Sequence, residues 1–190
     1  MRRVVVTEFM TMDGVMEDPG GAEGFEHGGW AFKFERGAEG DKFKFDELME
    51  ADAHLLGRVT YEGFAKAWPS QEGEFADRIN NAPKYVVSST LDKAEWNNST
   101  LLKGKVAEAV SRLKQQPGGD ILVAGSRQLV QTLLQHNLVD ELRLMVYPIV
   151  LGAGKRLFGD GLGTASFQLV ESKAVGDGVL ILVYRPLETD

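Results

Sequence analysis

Residues 55–64 read LLGRVTYEGF: an apolar strand ending at Gly57, a cation at Arg58, and a helix starting near Thr60. A strand that delivers a small residue, a cation and a helix N-terminus to one point is suited to receive an anion. Backbone N–H groups and the helix dipole favour negative charge there, and Arg58 adds a planar, two-pronged donor. Similar junctions recur at Ser88–Thr90 and Gly125–Arg127.

Outward from this stretch the pattern alternates. Residues 3–9, 53–57, 84–90, 99–103, 120–126 and 141–150 read as strands, and 120–126 is a continuous apolar run of the kind found at a sheet centre. Helical spacing predicts helices over 39–51, 60–67, 74–81, 106–116 and 127–137. Two last strands, 166–175 and 179–186, flank Gly176-Asp177-Gly178, a hairpin signal. Strand–helix alternation followed by an antiparallel pair predicts an α/β fold, with a mostly parallel sheet and an antiparallel edge. With no internal repeat or linker, residues 1–190 read as one domain.

Composition narrows the function classes. The formal net charge of -7 speaks against a duplex nucleic acid partner. Cysteine is absent, which removes disulfides, thiolate metal sites and a cysteine nucleophile, and fits a cytoplasmic location. Glu8 interrupts the apolar run after Arg2-Arg3 before a signal-peptide core forms, and no stretch approaches a membrane span. Neither membrane nor nucleic acid is an expected partner; a small-molecule substrate is.

In open α/β sheets, ligands bind outside the carboxyl ends of the strands. That rule selects the exits at Thr7–Phe9 with the adjoining Thr11-Met12-Asp13-Gly14, at Gly57–Thr60, at Ser88–Thr90 and at Gly125–Arg127. Hydroxyls, glycines and arginines at four exits suit a ligand with several phosphates. Each has a plainer alternative. Ser88 and Ser89 can cap a turn, Ser126 and Thr60 can cap helices, and Arg58 can be a solvated helix residue. No GxGxxG follows a strand, and LGAGKR (151–156) lacks the first glycine and the hydroxyl of a P-loop. His27, His54 and His136 have no metal-ligand spacing, and no metal is expected. Asp13 and Asp41 are the candidate proton donors. Against this, Asp13 suits a turn before Gly14, and Asp41 suits the first turn of a helix. Glu141 reads as structural.

Four segments carry a resemblance: LGRVTYEGF (56–64), KYVVSSTL (84–91), GGDILVAGSRQLV (118–130) and LVDELRLMVYPIVLGAGKRLF (138–158). Together they resemble the dihydrofolate reductase-like superfamily, a three-layer α/β fold. The nearest branch is that of stand-alone relatives of the reductase domain in the bifunctional riboflavin-biosynthesis deaminase-reductase. The resemblance implies an NADPH-binding reductase. It places Gly57, Arg58 and Thr60 at the cofactor phosphates, Ser88 and Ser89 at the adenosine side, and Gly125 and Ser126 under the pyrophosphate and nicotinamide, with Arg127 adding a phosphate contact. Thr11, Asp13 and Gly14 would close on nicotinamide and substrate, with Trp30 and Phe32 covering the substrate. Asp41 is the acid nearest the place of the superfamily's first-helix acid. Ser126 stands where the usual pair has its second glycine, which speaks against unusual peptide geometry there. The deaminase half is missing, because its zinc motif needs cysteine.

The expected activity is that of an NADPH-dependent reductase acting on a C=N or C=O group of a small heterocycle or opened sugar. A phosphoribosylaminouracil is the candidate substrate, and Lys155-Arg156 the candidate site for its phosphate. A homodimer is expected. The alternatives are a nucleotide-binding module without turnover, a dimeric scaffold using the strand at 141–150, and a dihydrofolate reductase-type activity.

Overall fold

The β-branched run Val4–Val6 opens β1 (Val4–Thr11), a central strand of the sheet in this computed structural model, which describes residues 1–187. Residues 188–190, included in the expected domain, lie outside the described residues. The chain continues through α1 (Gly37–Glu50), β2 (Ala51–Gly57), α2 (Arg58–Ala67), α3 (Glu74–Asn81), β3 (Lys84–Val87) and β4 (Ser99–Leu102). Then come α4 (Val106–Gln115), β5 (Asp120–Val123), α5 (Arg127–Gln135), β6 (Glu141–Tyr147), β7 (Phe167–Val175) and β8 (Val179–Pro186).

Eight strands form one sheet in the order β4-β3-β2-β5-β1-β6-β8-β7. Pairing is parallel from β4 to β6 and antiparallel from β6 through β8 to β7. Alternation along the strands sends side chains to two cores. Val4, Val6, Ile121 and Val123 pack with Val110 and Leu113 of α4 and Leu129, Val130 and Leu133 of α5. On the other face Leu56 and Val86 pack with Tyr61 of α2, while Met145, Tyr147 and Ile181 pack with Trp30. Helices therefore cover a mostly parallel sheet that ends in an antiparallel hairpin, the α/β architecture expected. The hairpin turn is anchored: the Glu35 N–H donates to the Asp177 carboxylate at 2.8 Å, and the Asp177 N–H donates to the Glu35 carbonyl at 2.7 Å.

One expectation changes. The strand at 141–150 is β6, paired with β1 on one side and β8 on the other, so it has no free edge to pair across an interface. The glycine-rich segment after β1, with Phe25, Trp30 and Phe32 embedded in it, is a packed loop. The Asp18 carboxylate accepts the N–H groups of Glu23 and Phe25, and a bridge joins Val15 to Arg156. His54 is buried on β2. Burial, with the charges of Lys84 and Arg78, pushes its imidazole down to about 4, so it is neutral at pH 7. Among the described residues, no group of three or more His, Asp or Glu is placed to hold a metal ion, and no helix is long and apolar enough to cross a membrane.

Candidate functional site

β2 and β5 are parallel neighbours, so their carboxyl ends deliver the N-termini of α2 and α5 side by side. The Gly57 N–H donates to the Gly125 carbonyl at 3.1 Å, stitching the two exits together. Glycine is required at both places. A Cβ on Gly57 would overlap Ser126, and Gly125 has φ +92 with Thr60 Oγ1 2.7 Å from where its Cβ would be. The Gly125–Ser126 peptide is cis, contrary to the sequence expectation. Neither helix has a side-chain N-cap, so their first-turn N–H groups remain available to an anion. The helix of residues 58–67 starts at Arg58 itself. That side chain is half-exposed and donates to Glu62 at 2.9 Å, a surface pair that exchanges readily with another anion.

The structure thus brings Gly57, Arg58, Thr60, Gly125 and Ser126 to one junction. Two other predicted cofactor contacts are committed elsewhere. Ser88 is buried and its hydroxyl accepts the N–H groups of Thr90 (3.1 Å) and Leu91 (3.0 Å), so it caps a turn; Ser89 and Thr90 after it are exposed. Arg127 turns its Nε to the Arg156 carbonyl at 2.9 Å and holds the loop after β6.

The segment after β1 departs further from expectation. Thr11 is fully buried, donating to Asp13 at 2.6 Å and accepting the Val15 N–H at 2.9 Å, so it makes the turn and does not face a substrate. Gly14 has φ +82 within that turn, and its N–H donates to the Thr11 carbonyl. Burial alone would raise the Asp13 carboxyl, but hydrogen bonds from Thr11 and from the N–H groups of Gly152 and Leu151 outweigh it and hold it below the usual carboxylate range. An anion so held clamps two loops and is not the proton donor expected. Trp30 is fully buried, edge-on to Tyr147 at 5.4 Å, with its indole N–H on the Glu17 carbonyl. It anchors the loop and does not cover a substrate. Lys155 and Arg156 pair with Glu17 and Asp13 at the surface of the same two loops.

An open cleft of about 580 Å³ lies between α1 and the α2–α3 segment. Its lining combines three cations, Arg36, Lys42 and Lys44, with three aromatic rings, Phe45, Trp68 and Phe75. Asp41 is at the rim, exposed and bonded to Arg36 at 2.6 Å, an ion-pair partner at the helix start. Lys44 reaches back to β1, donating to Thr7 at 2.8 Å and pairing with the buried Glu47.

Beside the junction, β1 carries a carboxyl that sequence reasoning passed over. Glu8 is 8 % exposed, and its Oε1 has no hydrogen-bond partner among the described residues. It faces the Gly125 N–H, and its Oε1 lies 3.7 Å from where a Gly125 Cβ would be. Burial pushes the Glu8 carboxyl up to about 8; Lys44 and the facing Gly125 N–H oppose this, and Glu47 and Glu23 add to it. The available signal was an acid inside the β-branched run of a central strand.

The model of the RibD C-terminal domain family matches residues 2–181. The uncharacterized protein YyaP of Bacillus subtilis (strain 168) is 29% identical over 189 residues, covering 97% of this chain and 95% of YyaP. YwjB, an uncharacterized protein of the same strain, is 27% identical over 184 residues, covering 97% of this chain and 98% of its own. Among solved structures, a protein of Shewanella sp. PV-4 described as a riboflavin biosynthesis protein superposes with TM-score 0.77 at 21% identity, covering 98% of this chain and 99% of that one. A pyrimidine reductase-like protein of Corynebacterium diphtheriae gives 0.64 at 13% identity, covering 99% and 93%. These two likenesses are of fold. With the family model spanning the junction, the cleft and all of the sheet but the end of β8, the chain belongs to the RibD C-terminal domain family.

Proposed function

We propose that this chain is an NADPH-dependent reductase acting on a C=N or C=O group of a small heterocyclic or opened-sugar substrate, with a phosphoribosylaminouracil of riboflavin biosynthesis as the leading candidate. Family membership and the descriptions of the two structural neighbours support a riboflavin-pathway reductase. The observation that carries the cofactor is the pair of uncapped helix N-termini meeting at Gly57 and Gly125. Their N–H groups, with Ser126 and Thr60, would hold a pyrophosphate, and Arg58 and Ser89 the further phosphate and adenosine. When bound, NADPH supplies the hydride. The chain's part is to orient and to shield. Phe45, Trp68 and Phe75 offer faces for a flat ring, and Arg36, Lys42 and Lys44 offer charge for its phosphate. That cleft is preferred to Lys155-Arg156 as the phosphate site because its cations, ion-paired as those two are, stand beside three aromatic rings. The expected homodimer and cytoplasmic location belong to the same proposal. β7 and β8 expose Leu169, Val170 and Leu180, a surface that a second copy would cover, and light scattering of the purified chain tests it.

The deciding experiment is fluorescence titration with NADPH and NADH. Wild type should prefer NADPH, and Arg58→Ala should weaken NADPH by about 1–3 kcal/mol through loss of a charge-assisted contact. Unchanged affinity in that variant overturns the site. Binding with no reduction of any carbonyl or imine offered supports the module without turnover.

A further inference from the structure

We propose that Glu8 is a neutral carboxylic acid of the cofactor cleft, a hydrogen-bond donor to an acceptor oxygen of an anionic ligand held at the Gly57–Gly125 junction. The inference rests on the junction being the ligand site. Three geometric facts carry it. Glu8 is nine-tenths buried, and its Oε1 has no partner among the described residues, a costly state for a carboxylate and a tolerable one for an acid that gains a partner on binding. Its carboxyl converges with the Thr60 hydroxyl on the same side of Gly125, where the two helix N-termini meet. Its neighbours on β1, Thr7 and Phe9, carry contacts with Lys44 of α1, so the strand joins the junction to the cationic cleft.

The charged groups acting on Glu8 are few. Lys44 and Glu47 come from α1 and Glu23 from the loop after β1, and among the described residues no arginine or lysine bonds to it directly. Lys44 and Glu47 are themselves paired, so their opposing charges largely offset each other at Glu8. Burial is left as the dominant influence, and the carboxyl keeps its proton to about pH 8. An ionised Glu8 would repel a phosphate at the junction; a protonated one donates to it. Ligand binding and the Glu8 proton are therefore linked, each favouring the other.

The test has two readouts. Carboxyl-carbon NMR of glutamate-labelled protein, with Glu8→Gln to assign the signal, should show Glu8 titrating near pH 8 in the free protein. Saturating NADPH should move that titration upward by about one pH unit or more. NADPH affinity of the wild type should then fall about tenfold between pH 6.5 and pH 9.5, while Glu8→Gln, isosteric and always neutral, should change less than about twofold over the same range. Titration below pH 6, or NADPH binding that leaves the Glu8 titration unmoved, overturns the proposal. Failure of NADPH to bind at any pH would instead sink the cofactor assignment, and the ligand-free titration would still decide whether Glu8 is the neutral acid described.

Discussion

Glu141 and Glu8 sit on adjacent strands, yet the two ends of the sheet treat them in opposite ways. Glu141 opens β6 at the amino end of the parallel strands. It is 2 % exposed and receives Arg143 at 2.7 Å, Arg185 at 2.9 Å and Arg3 at 3.2 Å. Burial would raise its carboxyl, but Arg143 and Arg185, with Arg3 behind them, keep it below the usual range. Nearby, Lys114 pairs with Asp140 at 2.5 Å, and Arg2 donates to the Gly119 carbonyl at 2.8 Å. At the carboxyl end Glu8 has no such partners among the described residues, and two helix N-termini remain uncapped. The buried acid at the amino end is held by three arginines, while the buried acid at the carboxyl end, beside the satisfied Thr11, Asp13 and Ser88, has no directly bonded cation among the described residues. A protein that only needed to be stable would have little reason to keep the second arrangement.

The largest effect should come from breaking the satisfied end. Glu141→Ala leaves a cluster of arginines without its buried anion and should cost about 3–5 kcal/mol in urea unfolding, while the remaining folded protein binds NADPH as before. A loss below about 1 kcal/mol would show that the arginines are solvated and the contrast between the ends is weaker than drawn.

Next in size is the pH dependence at the open end. Glu8 goes from an ordinary value of 4.5 when unfolded to about 8 when folded. Its contribution to stability is therefore fully present below pH 4.5 and is lost as pH rises through 8. Glu8→Gln has no such loss and should be more stable than wild type at pH 9 by on the order of 2–4 kcal/mol. Comparing the two proteins cancels His54, which acts in the opposite direction. Its value falls from 6.5 to about 4 on folding, so its contribution is present above pH 6.5 and fades as pH drops toward 4. Equal pH profiles for the two proteins would mean that Glu8 is solvated after all.

Gly57→Ala probes the junction itself. Its φ of -74 suits alanine, so any cost comes from the new methyl against Ser126, whose backbone N is 2.9 Å from it. About 1–3 kcal/mol of stability and most of the NADPH affinity should go, measured by thermal unfolding and titration. Smallest is Arg58→Ala, which should leave stability within about 0.5 kcal/mol, because its Glu62 partner is equally exposed. A junction built for a ligand and not for the fold requires that pairing of lost binding with kept stability.

Much of the molecule is legible from local pattern. Val4–Val6 and Asp120–Val123 read as buried strands, the spacing in 106–116 and 127–137 marks helices, and Gly176–Gly178 marks the hairpin, since backbone propensity and burial period act within a few residues. Gly57, Thr60, Gly125 and Ser126 are legible for the same reason: each lies where a strand stops and a helix begins, and parallel neighbours bring such exits together. The fate of each polar side chain is not local. Thr11, Asp13 and Trp30 look free in the sequence, but are taken by Val15, Gly152 and Glu17. Ser88 is taken by its own turn. Glu8 looks like an interruption of an apolar run, and only the junction with Gly125 and Thr60 beside it leaves a carboxyl buried and without a directly bonded cation. A pKa depends on desolvation and on charges brought from distant parts of the chain, so only the tertiary structure decides which acid keeps its proton.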